Sequence, residues 1–331
     1  MTAAAGSSAP AVEASGLTRS FKGGVDAVRG IDLSLRQGEV FGFLGPNGAG
    51  KTTTVRMLCT LLPPTAGSAR VAGIDVVADD AEVRRRIGVA LQEIGLDPTQ
   101  SGRELLELQC GLYGITGSDA QARATELLEL LGLTDAADRR TKTYSGGMKR
   151  RLDLASALVH KPEVLFLDEP TTGLDPASRV TVWEEVRRIN ATGTTIFLTT
   201  QYLEEADALC ERLAIIDAGE IVAAGTPEQL KAEIGNDVVS VVLDGADPDS
   251  VSKAIGELPG FERVVTEPDA IHLYLDDGAG SIAEIVRRLD GGAVKVGAIS
   301  VARPSLDDVF LEATGRRLEG ADGDGEEEAG E

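Results

Sequence analysis

Histidine is nearly absent from this 331-residue chain, which has only His160 and His272. Cysteine is almost as scarce. Cys59, Cys110 and Cys210 lie far apart with no CxxC pair, so neither a zinc site nor a disulfide framework is indicated and a reducing compartment fits. Aromatic residues make up 4%, which leaves Leu, Val, Ile and Ala to build the core. Positive charge is in deficit: the net charge is −22 and the pI is near 4.5. Such a chain does not gather nucleic acid by bulk attraction, and an anionic membrane surface repels it. No apolar run approaches the roughly 20 residues that span a bilayer. The start, "MTAAAGSSAPAVEA", lacks the basic end and apolar stretch of a signal peptide. Residues 1–11 are expected to be a flexible leader. Residues 317–331, with seven acidic residues and no basic ones from 319 onward, are expected to be a disordered tail on a solvated acidic surface.

What is present is ordinary for a globular protein, with 42% hydrophobic and 26% charged residues, in a length that allows two domains. "VDAVRGIDLSLRQGEVFGFLG" alternates and then turns continuously apolar, as antiparallel strands feeding a buried one do. A glycine-rich turn leads into "KTTTVRMLCTLL", helical in pattern and expected to run to Pro63-Pro64. From about Thr99 to Leu133 apolar residues recur at helical spacing. A helix "SGGMKRRLDLASALVH", a strand "VLFLDEP", a helix "ASRVTVWEEVRRIN" and a strand "TTIFLTT" follow. "RLAIIDAGEIVAAGT" then reads as two short strands turning at Ala218-Gly219. This alternation predicts an α/β fold with a mainly parallel sheet. After about Gly235 the pattern becomes βαββαβ, a small α+β unit, closed by the helix "LDDVFLEATG".

Three stretches carry chemistry. "GPNGAGKTT" (Gly45, Pro46, Asn47, Gly48, Ala49, Gly50, Lys51, Thr52, Thr53) fits the phosphate-binding pattern G-x-x-x-x-G-K-[ST] between a strand and a helix. Its glycines let backbone N–H groups converge on an anion, Lys51 reaches the β- and γ-phosphates, and the Thr52 hydroxyl suits Mg²⁺. "VLFLDEP" sets Asp168 and Glu169 at the end of a buried strand. Asp168 is placed to hold Mg²⁺ and Glu169 to act as general base on a water. An acidic pair at a strand end is often only a helix cap, but its position downstream of the phosphate loop favours catalysis. In "TYSGGMKRRLDLA", Ser145, Gly146 and Gly147 open a helix and offer N–H groups to an anion. Alone, that stretch reads as a serine cap.

Together these motifs resemble the ATP-binding subunits of ABC transporters, from about Val12 to Leu230. The resemblance implies a P-loop NTPase fold of the ABC ATPase type over residues 12–234: a mostly parallel sheet core, an antiparallel β subdomain and a helical subdomain at about 93–143. An accessory α+β domain is then expected at 235–316. In that likeness "GPNGAGKTT" is Walker A, "VLFLDEP" is Walker B, "YSGGMKRR" is the signature facing the ATP of the opposite subunit, and "GLDP" brings Asp175 as the D-loop residue. Gln92 falls at the Q-loop glutamine, which senses Mg²⁺ and the transporter interface. Phe21 falls where an aromatic ring stacks on adenine. The C-terminal "PSLDDVFLEATG" and the stretch "TTQYLEEAD" are similar to the daunorubicin-resistance type. There Gln201 replaces the histidine that touches the γ-phosphate in the wider family.

That resemblance implies ATP and Mg²⁺ as ligands, a homodimer of ATPase subunits with two ATP molecules held between them, and a separately encoded membrane permease. It implies no nucleic acid and a cytoplasmic position on the inner face of the membrane. Export of a hydrophobic or amphiphilic, drug-like compound follows as the expected role. Two alternatives stand beside it: a soluble ABC ATPase serving translation or DNA repair, and an interaction module that has lost catalysis, for which Gln201 is the only hint.

Overall fold

A computed structural model describes residues 9–235, 237–243, 251, 253, 255, 261–267, 270–291, 296–316 and 318. Most of the expected leader and nearly all of the expected acidic tail lie outside the described residues. The chain divides into two compact units, Met1–Ala224 and Gly225–Glu331.

In the first unit, β1 (Val12–Phe21), β2 (Val25–Leu35), β4 (Ala66–Val71) and β5 (Ile74–Asp75) form an antiparallel sheet in the order β2-β1-β4-β5. A six-stranded sheet has the order β10-β9-β3-β8-β7-β6. Its strands are β3 (Val40–Leu44), β6 (Ile87–Ala90), β7 (Val164–Asp168), β8 (Thr195–Thr200), β9 (Arg212–Asp217) and β10 (Glu220–Gly225). β3 pairs in parallel with β8 and β9, and β7 with β6 and β8. Every residue of β3, β7 and β8 is buried, which is why these strands read as unbroken apolar runs rather than alternating ones. Phe197 sits at the centre, with the rings of Phe41, Phe43 and Phe166 at 5.8, 5.6 and 5.5 Å. Register aligns Leu44 with Thr200 and Asp168 with Thr199. The carboxyl ends of three adjacent strands therefore open on one edge, where ligands of open α/β sheets bind.

The helices of this unit are α1 (Lys51–Leu58), α2 (Asp80–Arg86), α3 (Gly102–Leu112), α4 (Gly117–Leu130), α5 (Gly146–Ala157), α6 (Pro176–Asn190) and α7 (Leu203–Leu209). α3 starts at a capping box between Ser101 and Glu104. α1 stops at Leu58 and does not reach Pro63. Thr60 takes a left-handed φ of 63°, and the N–H groups of Leu61 and Leu62 donate back to the Arg56 carbonyl at 2.8 and 3.1 Å. The chain has thus already reversed before the prolines.

The second unit begins ten residues earlier than the composition shift near Gly235 suggests. Its α8 (Pro227–Ile234), capped by Thr226 and Gln229, packs against the helix Leu306–Thr314 of the same unit. β11 (Asp237–Leu243), β12 (Phe261–Thr266), β13 (Ala270–Leu275) and β14 (Val296–Ala302) form an antiparallel sheet in the order β12-β13-β11-β14. Val251, Lys253 and Ile255 are helical, and a longer helix spans Gly278–Gly291. Val239, Val241, Ile271, Leu273 and Ile285 lie in its core. No helix among the described residues is long and apolar enough to cross a membrane.

Phe197→Ala is expected to cost about 3–5 kcal/mol of folding stability by leaving a cavity among three rings. Val180→Ala, at an exposed site on α6, is expected to stay within about 0.5 kcal/mol. Urea unfolding of the purified variants checks both.

Candidate active site

The loop after β3 is shaped by close approaches. A Cβ on Gly45 would lie 2.2 Å from the Ile216 carbonyl oxygen, and one on Gly50, at φ 107°, 2.4 Å from the Ala27 carbonyl oxygen. Only glycine fits at either position. Lys51, the first residue of α1, folds back under this loop. Its Nζ donates to the Gly45 and Pro46 carbonyls at 2.6 and 3.0 Å and pairs with Glu169 Oε1 at 3.1 Å. Both partners of that ion pair are buried, at 4% and 8% exposure. Burial pushes the Lys51 pKa down, and the charges of Glu169 and Asp168 act against that shift.

Asp168 closes β7. Its Oδ1 accepts from the hydroxyls of Thr52 at 3.2 Å and Thr199 at 2.6 Å. Its Oδ2 is buried with no hydrogen-bond partner among the described residues. An unpartnered buried carboxylate oxygen beside a hydroxyl suits a hard divalent cation, so Thr52 and Asp168 fit Mg²⁺. No group of three or more His, Cys, Asp or Glu able to hold a metal occurs among the described residues.

Glu169 adopts a left-handed φ of 49°, a conformation that costs about 1–3 kcal/mol for a non-glycine residue and is held only where its surroundings impose it. Here the Glu169 N–H is taken by the Thr199 carbonyl at 3.1 Å and the Thr199 hydroxyl at 3.0 Å. Its Oε2 accepts from Gln92 Nε2 at 3.5 Å and Thr172 Oγ1 at 3.4 Å. The carboxylate thus faces the open side with one oxygen on Lys51 and the other on weak, long contacts.

These groups line a cleft of about 370 Å³ with Ala27, Pro46, Asn47, Gly48, Gly50, Thr53 and Gln201. Gly45, Ala49 and Asp168 are buried and do not line it. Five residues picked out from the sequence stand away from it. Phe21 ends β1 at 39% exposure, beneath the Arg19 guanidinium at 4.8 Å from its ring centre. Ser145 caps α5 by accepting from the Met148 N–H at 3.3 Å, and Gly146 beside it is exposed. Asp175 caps α6, accepting from Ser178 N–H at 3.0 Å and Ser178 Oγ at 2.6 Å, bonds that hold its carboxyl below the usual range. Gly147 does not line the cleft either; a Cβ there would lie 3.2 Å from Ser178 Oγ.

Two functional-looking residues escaped the sequence reading. Thr199 bridges Asp168 and Glu169, and its only signal was a hydroxyl inside the apolar run "TIFLTT". Arg150 is buried on α5 and donates to the carbonyls of Pro170 (2.9 Å), Leu91 (2.6 Å) and Asp168 (3.3 Å). Its neighbour Arg151 looks identical in sequence, and only the burial of the α5 face separates them.

Comparison with known proteins adds to this geometry. The ABC transporter family profile matches residues 28–172, and a profile of the DrrA1-3-like C-terminal domain of ATP-binding proteins matches residues 225–314. The chain is 48% identical to the daunorubicin resistance ATP-binding protein DrrA2 of Streptomyces coeruleorubidus, over 88% of this chain and 92% of that protein. It is 46% identical to the doxorubicin resistance ATP-binding protein DrrA of Mycobacterium tuberculosis, over 92% and 93%. Among solved structures, a dimeric ATP-binding cassette bound to ADP and Pi in a post-hydrolysis state superposes with a TM-score of 0.59 at 27% identity, over 65% of this chain and 98% of that one.

Thr199→Val removes the hydroxyl that serves both Asp168 and Glu169. A loss of about 1–3 kcal/mol in folding stability is expected from the Asp168 carboxylate and the Glu169 N–H left without it, measurable as a lower urea midpoint; an unchanged midpoint would show that the bridge carries no weight.

Proposed function

The chain belongs to the ATP-binding subunits of ABC transporters, in the daunorubicin- and doxorubicin-resistance group, and on that premise we propose that it hydrolyses ATP to drive export of a hydrophobic or amphiphilic compound through a permease on a separate chain. The observation that carries this reading is the convergence of Lys51, Thr52, Glu169 and Gln201 on one cleft, with Asp168 bonded to Thr52 behind it. An interaction module without catalysis has no need of a strained, buried Glu169 paired with a buried lysine.

In this mechanism the free N–H groups of the loop after Pro46 and of the start of α1, with the Lys51 ammonium, hold the β- and γ-phosphates. Thr52 and Asp168 hold Mg²⁺, which when bound neutralises charge on the phosphate oxygens. Lys51 exchanges its contact with Glu169 for phosphate oxygen. Glu169, thus freed, takes the proton of the water that attacks the γ-phosphorus. Gln92 lies against Glu169 Oε2 and links that oxygen to the metal site and to the permease side. Gln201 donates an amide hydrogen bond to the γ-phosphate in place of a histidine, without carrying charge. Phe21 offers its exposed ring to adenine.

Ser145, Gly146 and Gly147 stand outside the cleft of their own chain, and they take the ATP of a second copy, with Asp175 at the same junction. ATP thus joins two like subunits, and hydrolysis releases them. The subunit works in the cytoplasm against the inner face of the membrane, held there by the permease, since its acidity gives it no attraction to anionic lipid or nucleic acid. Anthracycline-like drugs are the substrate class that the relatives' names suggest.

Glu169→Gln is expected to bind ATP and dimerise while hydrolysing at least about 100-fold more slowly; wild-type turnover would remove Glu169 as base. Gln201→Ala is expected to slow Mg²⁺-dependent hydrolysis more than it weakens ATP binding, and the wild-type rate is expected to show no histidine-like titration between about pH 6 and 8. A steady-state pH profile with parallel nucleotide-binding measurements tests both.

A further inference from the structure

Behind the cleft lies a second carboxylate with no part in the chemistry above. Glu205, in the first turn of α7, is fully buried. Its Oε1 accepts from Thr171 Oγ1 at 2.9 Å and from Trp183 Nε1 at 3.0 Å. Burial pushes its pKa up, against the hydroxyls of Thr200 and Thr171, the Trp183 indole and the Arg150 charge. A carboxylate without solvent is costly unless its contacts repay it, and the two donors to Oε1 and Glu205 itself sit on three different segments. Thr171 lies two residues beyond Glu169, in the turn that leaves β7. Trp183 is on α6, the helix headed by Asp175. Glu205 itself follows Gln201 by four residues.

Other contacts tie the same segments. Arg150 also holds the turn, through the Pro170 carbonyl. Arg179 of α6 lies over the ring of Tyr202, next to Gln201, at 4.3 Å, and Arg187 of α6 donates to the Ala208 carbonyl of α7 at 2.9 Å. The turn Glu169-Pro170-Thr171 is therefore held between two buried charged side chains, while its first residue keeps a left-handed backbone.

We infer that Glu205 is a positioning residue for hydrolysis: by accepting from Thr171 and Trp183 it locks the Glu169 turn to α6 and to the Gln201 turn, so that base and γ-phosphate donor keep a fixed spacing. This rests on the assignment of Glu169 as the base. The hydrogen-bond acceptor, rather than the charge, does the positioning, because both partners of Oε1 are neutral donors.

The test uses the full chain with ATP and Mg²⁺, comparing Glu205→Ala, Glu205→Gln and Thr171→Val with Glu169→Gln as a control. Glu205→Ala is expected to lower kcat at least about tenfold while leaving the ATP dissociation constant within about threefold, as displacement of a catalytic group does. Glu205→Gln keeps an acceptor oxygen and is expected to restore most of that rate. Trp183 is the single tryptophan of the chain, so its emission reports the contact directly: it should shift in the alanine variant and return toward wild type in the glutamine one. Where Glu205→Ala does not fold, Thr171→Val carries the test, with an expected loss of about fivefold in kcat at unchanged ATP affinity. The inference is overturned if kcat stays within about twofold of wild type in Glu205→Ala, or in Thr171→Val where the alanine variant does not fold. It is equally overturned if Glu205→Gln is as slow as Glu205→Ala, or if ATP affinity falls in step with kcat. An inactive Glu169→Gln beside a fully active Glu205→Ala refutes the positioning role alone, whereas an active Glu169→Gln refutes the base assignment beneath it.

Discussion

The rest of the site depends on one buried ion pair, Lys51 with Glu169. Each charge would be expensive where it lies if the other were absent. The pair is possible because β8 separates β3 from β7 and all three run parallel, so the residues leaving β3 and β7 meet over the end of β8. Thr199 and Thr200 at that end supply what the turns need: Thr199 braces Asp168 and Glu169, and the Thr200 carbonyl accepts from Gly45 N–H. The Lys51 ammonium spends its three protons on two loop carbonyls and Glu169. A phosphate group entering the loop has to displace at least one of these. Under the proposed mechanism the same displacement uncovers the base, so that nucleotide binding and activation of Glu169 are one event.

Much of this arrangement was legible in the sequence, and the exceptions have physical causes. The strand–loop–helix around Lys51 and the apolar run ending in Asp168-Glu169 announce themselves through periodicity and glycine spacing. The βαββαβ order of the second unit was equally plain. The end of α1 was not, because Thr60 enters the left-handed region without the glycine that usually signals it. The unit boundary was expected near Gly235 rather than at Gly225, because no composition shift marks α8 off from the strand before it. Arg150, Thr199 and Glu205 are polar residues within apolar patterns, and pattern reading treats such residues as noise until burial and partners are known. Phe21 and Asp175 came from the family resemblance alone, and it took the resemblance to raise Ser145, Gly146 and Gly147 above a serine cap; none of the five lines the cleft of its own chain.

Those local contacts sharpen the division of labour between chains. A serine cap on α5 and an aspartate cap on α6 are complete as structural devices, and nothing within a single chain gives them access to the cleft. Their exposure leaves helix-start N–H groups and a hydroxyl free to meet an anion presented by another molecule. Under the proposed function a single chain would hold half a site twice over: the loop and base that grip one nucleotide, and a helix start that completes the site of a partner.

The most direct measurement of that claim is the Mg²⁺-dependent ATPase rate of two separately inactivated chains, Lys51→Ala and Ser145→Ala, alone and mixed in equal amounts. Each variant should be nearly inactive by itself. The mixture should recover hydrolysis, because an assembly of the two contains one site with an intact lysine from one chain and an intact serine from the other. A mixture as inactive as its components, or a Ser145→Ala chain that turns over at the wild-type rate, would contradict a site shared between two chains.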